Sequence, residues 1–517
     1  MTSQEPRAVW WRRVDPWLLA WIAVTALVWG SRGFLNTLSR DSSFYLYAGQ
    51  EVVAGNAPYE AVMNRAGPLA HLLPALGVAA GRVLGLGDVA GARALWFLIA
   101  SATPALVYLL VRRGTGSQLA GSVGAATMLC FQGFATFAAN GPGSKQPMVL
   151  FLLVAFLLLQ RRRMTAAGIA TGLATLTWQP VLFVALPAGL VVAALGHRDL
   201  RERAIAAFRF GLGGAVTLAV TVVGFAAVGA LDAFVEGFWS ANARYTDQPG
   251  ALDGPLAAWE LVVSANNWTS WVMASGCLAA LVLGAWGGRA GARRQPFHTD
   301  ALALAAATVT GLAWSLIAFN GPPDVFVMLP AAACGIGGAA GLLLHVGASR
   351  PRMHRAVAVS ALAWVLVSLV ATSQFMVTIR NTDLTAMRAG SEALFSALPD
   401  DATVFSAEAP QPLALAGKRS ISRYVLFGNG MMSYIDGERE GGLTGYRAWL
   451  RQQAPTLVLG PTTGIRGFLR PLLRDYVAVG SGVRWVAYLR ADVDLATRAQ
   501  VMAVLARWDP GVVAQEE

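Results

Sequence analysis

Asp41 to Pro68 reads DSSFYLYAGQEVVAGNAPYEAVMNRAGP. It is the longest polar interruption in the first half of a very apolar chain, and what surrounds it decides the fold. It carries an acid (Asp41), an aromatic-rich amphipathic segment (Phe44, Tyr45, Tyr47), a Gly-Asn-Ala-Pro-Tyr turn and a basic residue, Arg65, just before Gly67-Pro68. Before it, Trp17 to about Gly30 is apolar enough for a first membrane span with no small-residue cleavage site. After it, residues 68–85 (PLAHLLPALGVAAGRVLG) are apolar but short and carry His71, Pro74 and Arg82. That pattern predicts an interfacial helix.

The same alternation runs on. The chain has 517 residues, 55% hydrophobic and only 13% charged, with 17 Trp, whereas soluble domains carry roughly 25% charge. Apolar runs near twenty residues predict about eleven spans, at about 17–30, 93–111, 118–138, 148–160, 165–179, 181–196, 210–230, 268–286, 301–319, 325–346 and 356–376. The net charge of +11 does not point to nucleic acid. The arginines sit in short clusters between spans (Arg112-Arg113, Arg161 to Arg163, Arg198 to Arg203, Arg289 to Arg294, Arg350 to Arg355), which the positive-inside rule assigns to the cytoplasm. The N-terminus is then cytoplasmic, and an odd number of spans places the C-terminal region outside the cell membrane.

Residues 377–517 are a different material. Short β-prone runs at 403–405, 456–459 and 484–489 predict strands, and 384–398 and 443–453 have helical spacing. The expected architecture is a transmembrane domain, 1–376, with a first outer loop at 31–67, followed by a small extracytoplasmic α/β domain, 377–517. Cys130, Cys277 and Cys334 all fall in apolar spans and have no metal-ligand spacing.

With few ionisable residues in the spans, chemistry is left to four outer segments: 31–67, 140–147, 231–265 and 320–324. Asp41 is either a helix N-cap (Asp41-Ser42-Ser43 before a periodic segment) or a general base, and the roles are compatible. Arg65 either grips a phosphate or anchors the loop at the interface. Lys145, the only lysine of the membrane half, is a phosphate partner or a plain loop charge. Tyr45, Asn64, Arg244 and Tyr245 complete the candidate substrate-binding set. No second histidine stands near His71, so no metal ligand set is found and no cofactor is firmly implied.

YLYAGQEVVAGNAPY, then NRAGPLAHLLPALGVAAGRVLG, then a span opening with Ala-Arg-Ala-Leu, resembles the GT-C superfamily of membrane glycosyltransferases. The likeness is to its protein O-mannosyltransferase and lipid A aminoarabinose transferase branch. FNGPPDVFVMLP and LALAGKRSISRY carry the same resemblance. It implies an enzyme that moves a sugar, a mannose-like hexose or a pentose, from a polyprenyl-phosphate carrier to a glycan, lipid or protein acceptor at the outer face, inverting the anomeric centre. It maps the family's acid onto Asp41 and its basic residue, commonly Lys, onto Arg65. The chain departs from the pattern at Ser144-Lys145-Gln146, where many relatives carry an acid, at Trp178, where many carry Lys, and at Asn320-Gly-Pro-Pro-Asp324, a turn that often holds His or Arg. The alternative is a non-catalytic lipid-linked-sugar flippase or assembly scaffold, indifferent to Asp41. Either way the partners are membrane lipids and a polyprenyl-linked sugar, without nucleic acid.

Overall fold

The structure is a computed structural model. It describes residues 15–197, 199–245, 254–289, 296–428, 430–462, 464–482 and 484–507. Arg7, Arg12, Arg13, Arg198, Asp247, Arg293, Arg294 and the side chains of Tyr245 and Arg289 lie outside the described residues.

The protein is a multi-pass helical membrane protein. Six helices are long and apolar enough to cross a bilayer: Asp88–Thr115, Leu200–Ala227, Thr269–Gly288, His298–Ile317, Pro322–Gly347 and Pro351–Thr378. A bent pair, Gln118–Cys130 and Gln132–Ala138, turning by 72°, makes a seventh if it is one span. The other four expected spans coincide with shorter apolar helices: Pro16–Gly30, Lys145–Gln160, Met164–Thr175 and Gln179–Leu195. Buried small and aromatic side chains, Trp29, Ala126, Phe134, Leu152 and Ala332 among them, weld these helices into one core. Leu200–Ala227 and Pro351–Thr378 bury only 22% and 17% of their apolar windows, as helices facing lipid on most sides do.

The stretch 41–68 folds as a helix, Arg40–Val53, followed by a packed loop. The helix start corrects the reading of Asp41 as N-cap. Ser39 is the cap, its hydroxyl accepting from Ser42 N at 3.2 Å, and Asp41 lies within the first turn. There a carboxylate is favoured by the helix dipole without being spent on a backbone bond. The periodic face of Phe44, Leu46, Tyr47 and Ala48 is buried. Gly49 lets the helix cross the apolar Leu69–Val83 helix, for a Cβ there would come within 2.7 Å of Pro74.

The C-terminal region carries a four-stranded mixed sheet: β1 Val404–Ser406, β2 Leu457–Pro461, β3 Tyr476–Gly482 and β4 Trp485–Arg490, ordered β1-β2-β4-β3. β1 and β2 pair in parallel, Phe405 opposite Val458, and the other pairs are antiparallel. β3 was not expected, because YVAVGSG ends in glycines and has little buried alternation. The sheet does not stand apart from the membrane half. Phe44, Tyr47 and Val62 share one apolar core with Leu394, Val404, Leu413 and Leu489. Polar clasps reinforce the seam: Gln50 Nε2 donates to Ala414 O at 2.9 Å, Ser420 N donates to the Tyr47 hydroxyl at 3.1 Å, and Arg419 pairs with Glu51 at 3.1 Å.

Two further differences from the sequence reading matter for the site. The segment 231–265 is helical where described, as Leu231–Phe234, a π-helical turn Val235–Ser240, Ala241–Tyr245 and Pro255–Asn266. A charged side chain is also buried inside a long apolar helix. Arg93 donates to Asn140 O at 3.0 Å, to Asn36 O at 2.8 Å and to Phe34 O. It ties the start of the first polar segment to the 140–147 loop. With Thr37 O at 3.5 Å, four carbonyls surround the guanidinium and satisfy donors that would otherwise be costly to bury.

Candidate active site

The four polar segments that the sequence assigns to one side do meet, beneath the sheet. The order of assembly follows the chain. The Arg40–Val53 helix supplies Asp41 and Tyr45. Asp41 is the open member, its side chain 56% exposed. Arg40 holds it from one side, Nε to Oδ1 at 3.1 Å, while its Nη1 reaches Glu408 Oε2 at 2.6 Å. Glu408 is fixed in turn by the backbone N–H groups of Phe427 and Gly428. Asp41 is thereby oriented through Arg40 by a carboxylate of the sheet region.

One helical turn on, the Tyr45 hydroxyl donates to Ser144 Oγ at 3.3 Å. Burial pushes the Tyr45 hydroxyl well up from its ordinary pKa, so it stays protonated and remains a donor. Ser144 precedes Lys145, the first residue of the Lys145–Gln160 helix. A cation at a helix N-terminus opposes the helix dipole. Two contacts offset this: Asp324 Oδ1 lies 2.7 Å from Lys145 Nζ, and the Trp178 ring lies beneath it at 3.0 Å to the centroid. Asp324 is anchored by Asn320 N at 3.0 Å. Tyr45, on the Asp41 helix, thus reaches the loop that ends at Lys145.

Arg65 joins through the turn after Trp178. Its carbonyl accepts from Gln179 Nε2 at 3.0 Å and from Asn242 Nδ2 at 2.8 Å, and its Nε faces Asn242 Oδ1 at 3.4 Å. The loop is pressed onto the end of the Met164–Thr175 helix, with Leu69 N donating to Leu176 O at 3.0 Å. A Cβ on Gly67 would sit 2.0 Å from Leu176 O, so only glycine permits this approach. Gly67→Ala is expected to destabilise the protein by about 3 kcal/mol through forced backbone displacement. A thermal melt against the wild type checks this, and an unchanged melt would mean the loop is not clamped there.

The remaining expected residues lie elsewhere. Asn64 is buried and accepts from Ala66 N at 2.9 Å, bracing its own loop. Arg244 pairs with Glu438 at 2.9 Å. His71 is buried against Tyr59, ring to ring at 4.8 Å. Among the described residues no group of three or more His, Cys, Asp or Glu is placed to hold a metal ion.

The sequence reading missed the partnership of Lys145 with Asp324 and Trp178. A signal for it existed: one lysine and one acid stood in short loops assigned to the same side, in a protein poor in both. Trp178 itself is the ring over which the Lys145 ammonium stands.

No protein-family model and no curated protein matches the sequence. Among solved structures, ArnT from Cupriavidus metallidurans in the apo state is similar, with a TM-score of 0.61 at 15% identity over 95% of this chain and 98% of that one. The same protein bound to undecaprenyl phosphate gives 0.58 at 15% identity, over 92% and 98%. The chain therefore shares the fold of these structures along nearly its whole length, in keeping with the resemblance read from the first outer loop.

Proposed function

We propose that the protein is a glycosyltransferase that moves a sugar from a polyprenyl-phosphate carrier to an acceptor at the outer face of the cell membrane, inverting the anomeric centre. The observation that carries this reading is the Tyr45–Ser144 bond, which brings the helix bearing the solvent-open carboxylate Asp41 to the loop bearing the buried cation Lys145, on the fold of a protein solved with undecaprenyl phosphate. The two halves of the cluster match the two demands of the reaction.

The carrier phosphate leaves as an anion. The Lys145 ammonium, the N-terminus of its helix and the Arg65 guanidinium stabilise charge as it develops on that oxygen, the kind of contribution that is usually largest in such transfers. Tyr45 supplies a neutral donor beside them. At the other end, Asp41 accepts the proton of the acceptor hydroxyl or amine as its heteroatom attacks the anomeric carbon and the carbon–phosphate-oxygen bond breaks. The products are the glycosylated acceptor, polyprenyl phosphate and a protonated Asp41 that returns its proton to water. Neither Asn64, Arg244 nor Tyr245 is needed for these steps.

The test is an assay of the purified protein with a panel of radiolabelled polyprenyl-phosphate sugars, hexoses and pentoses, with transfer followed to membrane-extracted acceptors. Transfer from one donor is the expected result. Translocation of the lipid-linked sugar between leaflets without bond cleavage would show a flippase instead.

A further inference from the structure

A cleft of about 590 Å³ is lined in part by the helical stretch 231–244, the same stretch whose Asn242 bonds to the Arg65 carbonyl. Its size falls within the roughly 300–1,000 Å³ of small-ligand clefts. One wall is formed by residues between Leu231 and Arg244, the other by Arg423, Tyr424 and the segment Tyr434 to Arg439. Bonds across it fix the separation of the walls. Glu236 accepts from both Arg423 and the Tyr434 hydroxyl, and Arg244 pairs with Glu438 at 2.9 Å.

Three lining groups are left over. The Asp232 carboxylate and the Ser240 hydroxyl make no hydrogen bond to any described residue. Arg439 rests its guanidinium over the Tyr446 and Trp449 rings, 4.9 Å from each centroid, and its N–H groups bond to no described residue. An acceptor-only group, a donor-only group and a hydroxyl that can do both are thus held around one open space.

The charges decide the ligand class. The lining carries three arginines (Arg244, Arg423, Arg439) and three acids (Asp232, Glu236, Glu438), so it has no formal net charge. A polyanion would need a basic excess. An apolar ligand would strand the open carboxylate and guanidinium. Hydroxyl groups donate and accept alike and satisfy both.

We infer that this cleft binds a neutral, hydroxyl-rich glycan. Its use as the seat of the sugar acceptor rests on the transferase reading above. Binding itself does not, since the cleft shares only a wall with the Asp41 cluster: Asn242 grips Arg65 on one face of the Ala241–Tyr245 helix while Arg244 lines the cleft on another.

The experiment uses the full chain in nanodiscs, without any polyprenyl donor, and fluorophore-labelled trisaccharides of mannose, glucose, galactose and arabinose read by anisotropy. Saturable binding of at least one probe is expected. Asp232→Asn should weaken it roughly tenfold, the loss of a hydrogen bond to a charged acceptor, and Ser240→Ala roughly threefold. Because Asp232 and Ser240 hold nothing else in place, both variants should melt with the wild type. Wild-type affinity in both variants, no binding of any trisaccharide, or tighter binding of a sulfated trisaccharide overturns the inference. Failure of the transferase reading shows differently, as inactivity with every donor while glycan binding persists.

Discussion

Asp41→Asn is expected to lower sugar transfer by about 10²–10⁴-fold while leaving the fold and the binding of undecaprenyl phosphate intact. The size follows from the proposed chemistry. An amide of the same shape cannot take the acceptor proton, so the attack must proceed without base assistance. The fold should tolerate the change because Asp41 supports little. It is not the helix cap, that role belonging to Ser39, and its one bonded partner is the half-exposed Arg40. An exposed ion pair of this kind contributes at most about 1 kcal/mol. Three readouts separate the possibilities: initial transfer rate at saturating donor, melting temperature, and donor binding. A lost rate with preserved melting and binding supports Asp41 as the base. A preserved rate sinks that role, and a lost melt would mean the carboxylate is structural.

How far such an argument could be built from the sequence varies along the chain. Spans were legible because burying or lipidating twenty residues needs an unbroken apolar run, and Asp88–Thr115 or Pro351–Thr378 can be read at a glance. The Arg40–Val53 helix was legible from the period of Phe44, Tyr47 and Ala48, though its start was misread. Ser39 and Asp41 are both competent caps, and only geometry chooses between them. The strand β3 was hidden by its glycines, and the helices within 231–245 by a segment too polar for a span and too short for a clear period. The partners of Lys145 were harder to read for another reason. Lys145, Asp324 and Trp178 are far apart in sequence, and no local pattern records that three loops converge. Arg93 makes the same point. As a lone arginine near a span end it looks like an anchor, yet it is 1% exposed and organises two loops.

Lys145 and Asp324 give the second large effect, and a pair of variants can divide its causes. Both side chains are mostly buried, 14% and 11% exposed, with Nζ and Oδ1 at 2.7 Å. Lys145→Met alone leaves the Asp324 carboxylate without its counter-charge and should cost about 3–5 kcal/mol of stability. It should also abolish transfer, since the cation proposed to meet the leaving phosphate is gone. On its own that result is ambiguous, because a protein damaged at a buried carboxylate loses activity for many reasons. Lys145→Met combined with Asp324→Asn removes both charges. Asn can still accept from Asn320 N, the bond that Asp324 makes now at 3.0 Å. Replacing a buried ion pair by neutral groups of similar volume is often close to neutral for stability, so the double variant should melt near the wild type. Its transfer rate should nevertheless stay at the level of Lys145→Met, because restoring the fold does not restore a cation beside the phosphate. Asp324→Asn alone sharpens the test. It frees the ammonium from its partner while leaving it over the Trp178 ring, and should retain a measurable rate where both Lys145 variants have none. Recovery of transfer along with stability in the double variant would assign the pair to architecture alone and leave phosphate stabilisation to Arg65.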